Sequence, residues 1–198
     1  MNLLKRPSAL LALLALLVLS PVLLVVAAIV FFGLGRPVLF RQIRSGRHGV
    51  PFQMIKFRTM REAYTADGRP LPDAARTTRA GRFLRRSRLD ELPELVNIVR
   101  SEMNFIGPRP LLAPTVAAMG VDGLVRGHVR PGLTGLAQVS GNTLLDTREK
   151  LEFDLLYVRH RTLALDATIM LRTVLVIVAG EERTRRNATH ARPVDWGG

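Results

Sequence analysis

The chain of 198 residues contains no cysteine and few aromatic side chains. The absence of cysteine excludes a disulfide scaffold and a cysteine-ligated zinc site, and it is compatible with a reducing compartment. Aromatic residues make up 6% of the chain, so side chains on which nucleic-acid bases could stack are scarce. We therefore expect no nucleic-acid partner, and we attribute the net charge of +13 to contact with anionic headgroups or with a phosphate-bearing substrate.

Several motifs for nucleotide, metal and acyl chemistry are also missing. The chain has no Walker phosphate loop, no H-E-x-x-H, no G-x-S-x-G and no glycine-rich dinucleotide fingerprint. It lacks the D-x-D pair that holds a metal in many nucleotide-sugar-dependent glycosyltransferases. The four histidines, at positions 48, 128, 160 and 190, are far apart in sequence without ligand spacing, so we interpret them as structural or surface residues.

No acidic residue precedes Glu62, and residues 9–34 form a nearly continuous apolar run. As a helix this run would be about 39 Å long, enough for a hydrocarbon core of about 30 Å. Ser20-Pro21 interrupts it near the middle. Pro21 lacks the N–H that would bond the carbonyl of Leu17, and the Ser20 hydroxyl can satisfy a freed backbone group.

This break leaves two interpretations of the apolar run open. Each half has about 12 residues and is too short to span a bilayer alone, so a bent helix can enter and leave the same face. Basic residues lie on both sides of the run, which favours two cytoplasmic ends over a straight span. These flanking residues are Lys5, Arg6, Arg36, Arg41, Arg44 and Arg47. An ordinary kinked anchor is the alternative, and a cleaved signal peptide is disfavoured by the length of the run.

Residues 37–180 are expected to form one compact, mostly helical α/β domain. Apolar residues on both sides of a turn at 45–49 predict a small β-hairpin, and residues 62–79 read as an exposed loop. Helices are predicted near 80–86, 90–100, 115–126, 146–159 and 163–179, with an extended segment at 105–114 and a turn at 130–135. The last helix is expected at the membrane interface or in the core. A disordered tail is predicted for residues 181–198.

Asp90-Glu91 is the best acidic candidate because it follows a cluster of arginines at positions 85, 86 and 88. The structural interpretation is that Asp90 caps a helix whose first turn tolerates Glu91 and Pro93. The functional interpretation is that nearby cations bind phosphate while an ionised aspartate acts as a nucleophile or binds Mg²⁺. The residues alone allow both.

Other cations fit phosphate binding or ordinary surface charge. Lys56 and Arg58 lie at the end of the predicted hairpin. Arg109 stands between Pro108 and Pro110, which restrict the backbone and pre-aim a bidentate guanidinium.

Five motifs in this order resemble the bacterial sugar transferase family, the monotopic phosphoglycosyl transferases. They are SP at 20–21 within an apolar helix, KFRTM at 56–60, LDELP at 89–93, FIGPRP at 105–110 and RPGLTG at 130–135. The resemblance covers residues 5–179 and is closest in extent to minimal catalytic members.

The resemblance implies a re-entrant membrane helix within residues 1–36 and a domain with interfacial helices on the cytoplasmic face of the bacterial inner membrane. Asp90 would attack the β-phosphate of a UDP-sugar, expel UMP and hold the phosphosugar, with Mg²⁺ near Asp90. Glu91 would act as base for the incoming polyprenyl phosphate. The residues implied for substrate phosphate binding are Lys56, Arg58, Arg85 and Arg109.

The resulting polyprenyl-diphosphate sugar would start a surface glycan. Further implied partners are membrane lipids, downstream glycosyltransferases or a second copy of the chain. Residues 138–143 replace a stretch that in some relatives has an arginine linked to the sugar, so hexoses and acetamido-sugars both stay open. Two alternatives are a noncatalytic adaptor that binds acidic lipids and an enzyme that works by direct attack in a ternary complex.

Overall fold

The computed structural model describes residues 7–179, where the chain is mixed α/β and mostly helical, with two small sheets. It divides into two compact units. The first comprises Met1–Gln42 and Gln53–Val99, and the second comprises Ile43–Phe52 and Arg100–Gly198. The predictions made for Lys5, Arg6, His190 and the tail at 181–198 lie outside the described residues.

The apolar run forms two helices, α1 (Pro7–Val18) and α2 (Ser20–Leu34), which are bent by 65° at their junction. The Ser20 hydroxyl donates a hydrogen bond of 2.8 Å to the carbonyl of Leu17, the bond that Pro21 cannot make. The predicted break at Ser20-Pro21 is therefore confirmed. Within residues 7–179, neither helix alone is long and apolar enough to cross a membrane, whereas the bent pair together meets that length and hydropathy.

Both halves of the broken helix pack on the first unit. The helix α1 lies against α5 (Leu95–Val99), and its two buried residues are the small Ala9 and Ala12. On α2, Val26 and Val30 join a buried apolar cluster with Phe57 and Leu84.

The predicted hairpin is confirmed as a two-stranded sheet of β1 (Leu39–Ser45) and β2 (Pro51–Phe57). Its turn is a short 3₁₀ segment, Arg47–Gly49, in which His48 has a φ of +54°. The loop that follows contains a single helical turn, α3 (Asp73–Arg76), and leads to α4 (Arg79–Arg86).

The helix predicted from residue 90 to residue 100 is wrong in its first half. Leu89–Glu94 form a 3₁₀ helix, and the α-helix α5 begins only at Leu95. Pro93 inside the segment has no N–H for an α-helical bond, which accounts for the tighter turn. The N-cap is Arg88, at a left-handed φ of +59°, and it makes no capping side-chain bond. Asp90 is therefore not the helix cap.

The second unit combines five α-helices with a short parallel sheet among the described residues. Strands β3 (Asn104–Ile106) and β4 (Gly132–Thr134) pair with Asn104 opposite Gly132 and Ile106 opposite Thr134. The predicted turn at 130–135 is thus partly a strand. Gly132 permits this pairing because a Cβ there would lie 2.1 Å from the backbone nitrogen of Gly107. The helices are α6 (Ala113–Ala117), α7 (Val121–Arg126), α8 (Leu136–Val139), α9 (Thr147–His160) and α10 (Leu163–Ala179).

The long helices of this unit agree with prediction. A capping box between Asp146 and Glu149 starts α9, and Leu165, Ile169 and Val176 of α10 face a core that includes Tyr157. The opposite side of α10 is apolar and exposed, including Leu171 and Val178. The helix predicted for residues 115–126 is instead split into α6 and α7 by a turn at Gly120, whose φ is +58°.

Candidate functional site

Lys56 joins two carboxylates of the 3₁₀ helix in the first unit. Its Nζ lies 2.8 Å from Oε1 of Glu91 and 3.0 Å from Oε1 of Glu94. The three side chains are 13%, 8% and 3% exposed, so this is a nearly buried ionic cluster. Lys56 is on β2, and Asn97 of α5 fixes that strand through bonds with Ile55 N and Gln53 O.

Asp90 and Glu91 are both buried at the start of the 3₁₀ helix, with 8% and 6% of their surface exposed. The second oxygen of Glu91, Oε2, lies 3.5 Å from Nη1 of Arg88. Glu91 is therefore held between two cations. The preceding Leu89 packs on the apolar cluster around α2, which anchors the segment that carries Asp90.

Arg85 approaches the end of β2 from α4. Its Nε donates to Oγ1 of Thr59 over 2.9 Å. The helix lies directly on this segment because Gly81 has no side chain: a Cβ there would be 2.0 Å from the carbonyl oxygen of Thr59. Arg85 is thus placed next to residues that follow Lys56 and Arg58 along the chain.

Arg58 contacts the C-terminal end of the broken helix. Its Nη2 donates to the carbonyl of Leu34 and, at 2.8 Å, to that of Gly35. A cation at this position satisfies carbonyls that lack helical partners and complements the negative end of the helix dipole. Arg58, which was predicted to bind substrate phosphate, therefore also stabilises the end of α2.

Arg109 belongs to the second unit, where a buried ion pair supports its backbone. Arg126 donates through Nε to Oδ2 of Asp154 over 2.7 Å and through Nη2 to the carbonyl of Arg109. Desolvation by burial raises the pKa of Asp154, and Arg126 opposes this shift.

The same unit brings the rings of His48 and His128 to 6.1 Å between centroids, although they are distant in sequence.

Among the described residues, no group of three or more histidine, aspartate or glutamate side chains could hold a metal. Mg²⁺ commonly uses only one or two carboxylates together with substrate phosphates. The buried side chain of Asp90, next to Glu91, is a carboxylate of this kind and would share Mg²⁺ with a diphosphate. The donor set fits a metal that arrives with its substrate.

The family model described as bacterial sugar transferase matches residues 2–180. The chain is 38% identical over 162 residues to the uncharacterized sugar transferase EpsL of Bacillus subtilis, covering 82% of this chain and 80% of that protein. The chain belongs to the bacterial sugar transferase family. It is also 38% identical to the UDP-glucose:undecaprenyl-phosphate glucose-1-phosphate transferase of Escherichia coli, where the match covers 87% of this chain and 40% of that protein. A third relative, the N-acetylgalactosaminephosphotransferase of Aeromonas hydrophila named for UDP-N-acetylgalactosamine and undecaprenyl phosphate, is 34% identical over 85% of this chain and 42% of its own length.

Within this bacterial sugar transferase, the first unit brings Lys56 into contact with Glu91, next to Asp90 in the chain. Of the other predicted residues, Arg85 contacts Thr59, Arg58 contacts the end of α2, and Arg109 belongs to the second unit. Glu94, the second carboxylate on Lys56, was not predicted from the sequence. The available signal was an acidic residue between Pro93 and Leu95 in an otherwise apolar stretch.

Proposed function

We propose that the chain moves a sugar 1-phosphate from a UDP-sugar to polyprenyl phosphate through a covalent intermediate on Asp90. The observation that carries the proposal is the buried Asp90-Glu91 pair within a cluster that includes Lys56 and Arg88. The names of the matched relatives from Escherichia coli and Aeromonas hydrophila describe the same class of transfer. Because the chain spans about two fifths of each of these proteins, their activity enters here as part of the proposal.

In the first step, a carboxylate oxygen of Asp90 attacks the phosphorus that carries the sugar. The new bond is an acyl phosphate, and the bond from that phosphorus to the bridging oxygen breaks, so UMP leaves with the electron pair. The surrounding cations stabilise the charge that develops on the phosphoryl oxygens. Mg²⁺ held by Asp90 and the diphosphate would supply further charge neutralisation.

In the second step, an oxygen of polyprenyl phosphate attacks the same phosphorus and releases the Asp90 carboxylate. Glu91 accepts the proton of the acceptor phosphate. Its two oxygens are oriented by Lys56 and Arg88, so the base is held in place before the acceptor arrives. A covalent intermediate lets a soluble donor and a lipid acceptor use one site in turn.

The location we propose is the cytoplasmic face of the bacterial inner membrane, with α1 and α2 as a re-entrant pair. The packing of α1 against α5 supports this arrangement, because both helix halves then stay with the unit that carries Asp90. The exposed apolar side of α10 fits an interfacial position. Insertion of the broken helix into lipid would hold the first unit, which carries Asp90, at the depth of the acceptor headgroup.

The test is intact-protein mass spectrometry after incubation with a UDP-sugar and Mg²⁺ but no acceptor. A panel that includes UDP-glucose and UDP-N-acetylgalactosamine also identifies the sugar. We expect the wild type to gain one sugar phosphate and release one UMP, Asp90→Asn to gain nothing, and Glu91→Gln to form adduct but turn over slowly.

Asp67→Asn is the matched control, since this side chain is 58% exposed and lies in the surface loop. Full turnover by Asp90→Asn would refute the nucleophile. UMP release only when donor and acceptor are both present, with no adduct, would instead indicate direct attack in a ternary complex.

A further inference from the structure

An open groove of about 650 Å³ begins where α2 ends in the first unit. Its lining comes from the segment that enters β1 and from the residue that follows β2: Pro37, Val38, Leu39, Phe40, Arg41 and Arg58. The lining therefore combines an apolar wall of four residues, Pro37 to Phe40, with two guanidinium groups. Glu62, an exposed residue, completes the rim.

The guanidinium of Arg58 is fixed at the edge of this groove, and one of its N–H groups has no hydrogen-bond partner in the described residues. Its Nη2 is bound to the last carbonyls of α2, which holds the guanidinium in place. Its Nε is buried and has no hydrogen-bond partner among residues 7–179. A buried donor without an acceptor is destabilising. The guanidinium as a whole can bind an anionic oxygen of a ligand in the groove through charge-assisted bonds.

The groove is packed together with the segment that carries Asp90. Val38 and Leu39 of the apolar wall contact the same buried cluster as Leu89. Lys56 lies near the end of β2 and Arg58 directly follows that strand, so the two cations are two positions apart in the chain. The groove and the Lys56–Glu91 pair are therefore parts of one packed unit.

We infer that this groove binds the acceptor, with its phosphate on Arg41 and Arg58 and its first isoprene units on the wall of Pro37 to Phe40. The inference rests on the proposed function. A phosphate monoester carries a charge of about −1.5 to −2 at neutral pH, whereas the phosphodiester of a bulk phospholipid carries one, so two arginines favour the polyprenyl monoester. A single apolar wall also suits one chain better than two acyl tails.

The first experiment maps binding without requiring turnover. A polyprenyl phosphate with a diazirine in its first isoprene units is photolysed with the full chain in nanodiscs, and labelled peptides are identified by mass spectrometry. We expect label in residues 37–41, competed by undecaprenyl phosphate and not by a hundredfold excess of phosphatidylglycerol. Label elsewhere, or equal competition by phosphatidylglycerol, would overturn the inference.

The second experiment uses Arg41→Glu, at an exposed position, and compares it with Arg79→Glu, the same charge change at an exposed residue of α4. We expect Arg41→Glu to raise the acceptor KM at least about fivefold, the effect of losing one cation near the membrane, while donor-only adduct formation stays at the wild-type rate. Arg79→Glu should keep the wild-type KM. An unchanged acceptor KM in Arg41→Glu would reject the groove as the acceptor site. If the wild type forms no adduct with the donor alone, the proposed function itself is rejected.

Discussion

Lys56 is a cation whose surroundings differ from those of a simple phosphate ligand. Its ammonium group donates to Glu91 and Glu94, and all three side chains are nearly buried. An ammonium has three N–H bonds, so two are used by the carboxylates and one is left for a substrate oxygen. The cluster explains how Glu91 is positioned: Glu94 also binds Lys56, at 3.0 Å, and so restricts the ammonium group that contacts Glu91.

We predict that Lys56→Met destabilises the protein by about 3–5 kcal/mol, because it removes the cation that joins two nearly buried carboxylates. Glu94→Gln leaves a neutral Lys56–Glu91 pair and should cost less stability while slowing release of the phosphosugar to the acceptor. Thermal unfolding in detergent and separate assays of the two half-reactions measure these effects.

Glu152→Gln provides the control for a lost carboxylate, since Glu152 is 66% exposed and pairs only with a surface arginine in the described contacts. It should change neither unfolding nor either half-reaction. A Glu94→Gln variant that unfolds like wild type and transfers phosphosugar at the wild-type rate would show that Glu94 does not position Lys56.

At the scale of elements, the broken helix shows how a local sequence signal fixes geometry. Pro21 removes one backbone donor, Ser20 replaces it with a hydroxyl bond of 2.8 Å, and the two halves meet at 65°. The bend allows α1 to return to α5. The angle thus has a consequence for topology, because a straight helix would carry α1 away from the unit that contains Asp90.

We predict that Pro21→Ala straightens the helix and moves the N-terminus across the membrane. The natural chain has no cysteine, so a cysteine introduced at Asn2 can be labelled without background. A membrane-impermeant maleimide applied to intact spheroplasts should spare this cysteine in the natural background and label it in Pro21→Ala. A cysteine at Asp67, in the surface loop, should be spared in both, and labelling of the N-terminal cysteine without Pro21→Ala would contradict the re-entrant arrangement.

Elements whose cause is local could be predicted from the sequence, and contacts between distant residues could not. The break at Ser20-Pro21, the hairpin and the capping-box start of α9 depend on neighbours within a few positions. The 3₁₀ form of Leu89–Glu94 was missed because Pro93 tolerates a helical first turn as well as a tighter one. The parallel pairing of β3 with β4 joins segments whose partners are set by the tertiary fold.

For the candidate site, too, the residue types could be predicted from the sequence and the contacts between distant segments could not. The Asp90-Glu91 pair and the basic motifs could be found by residue type and order. The bond from Lys56 to Glu94, the contact of Arg85 with Thr59 and the position of Arg58 on the end of α2 require segments that are far apart along the chain. Their partners are therefore visible only in the folded unit.

For the whole molecule, two kinds of membrane attraction must be separated. The net charge of +13 favours an anionic surface, and this attraction is screened because the Debye length falls to about 3 Å at 1 M salt. The apolar surface of the broken helix is not screened: Leu24 is 72% exposed and Phe32 is 84% exposed. A noncatalytic adaptor held by charge alone would depend only on the first kind.

We therefore predict that the wild type stays with the membrane pellet in 1 M NaCl and is released by detergent. Leu24→Glu/Phe32→Glu should move the protein to the supernatant at high salt, because each change removes an apolar side chain from lipid and adds a charge. Quantitative blotting of the two fractions measures this, with Leu144→Glu, at a 39% exposed leucine of the second unit, as the control.

The released double variant also separates the two half-reactions at the scale of the molecule. Asp90 and its cations are outside α2, so the soluble protein should still form the donor-only adduct and release UMP once. Transfer to polyprenyl phosphate in membranes should fall sharply, since the acceptor phosphate stays at the headgroup level while the enzyme no longer does. Full turnover by the released variant would show that membrane attachment does not position the site, and release of the wild type by salt alone would favour the charge-bound adaptor.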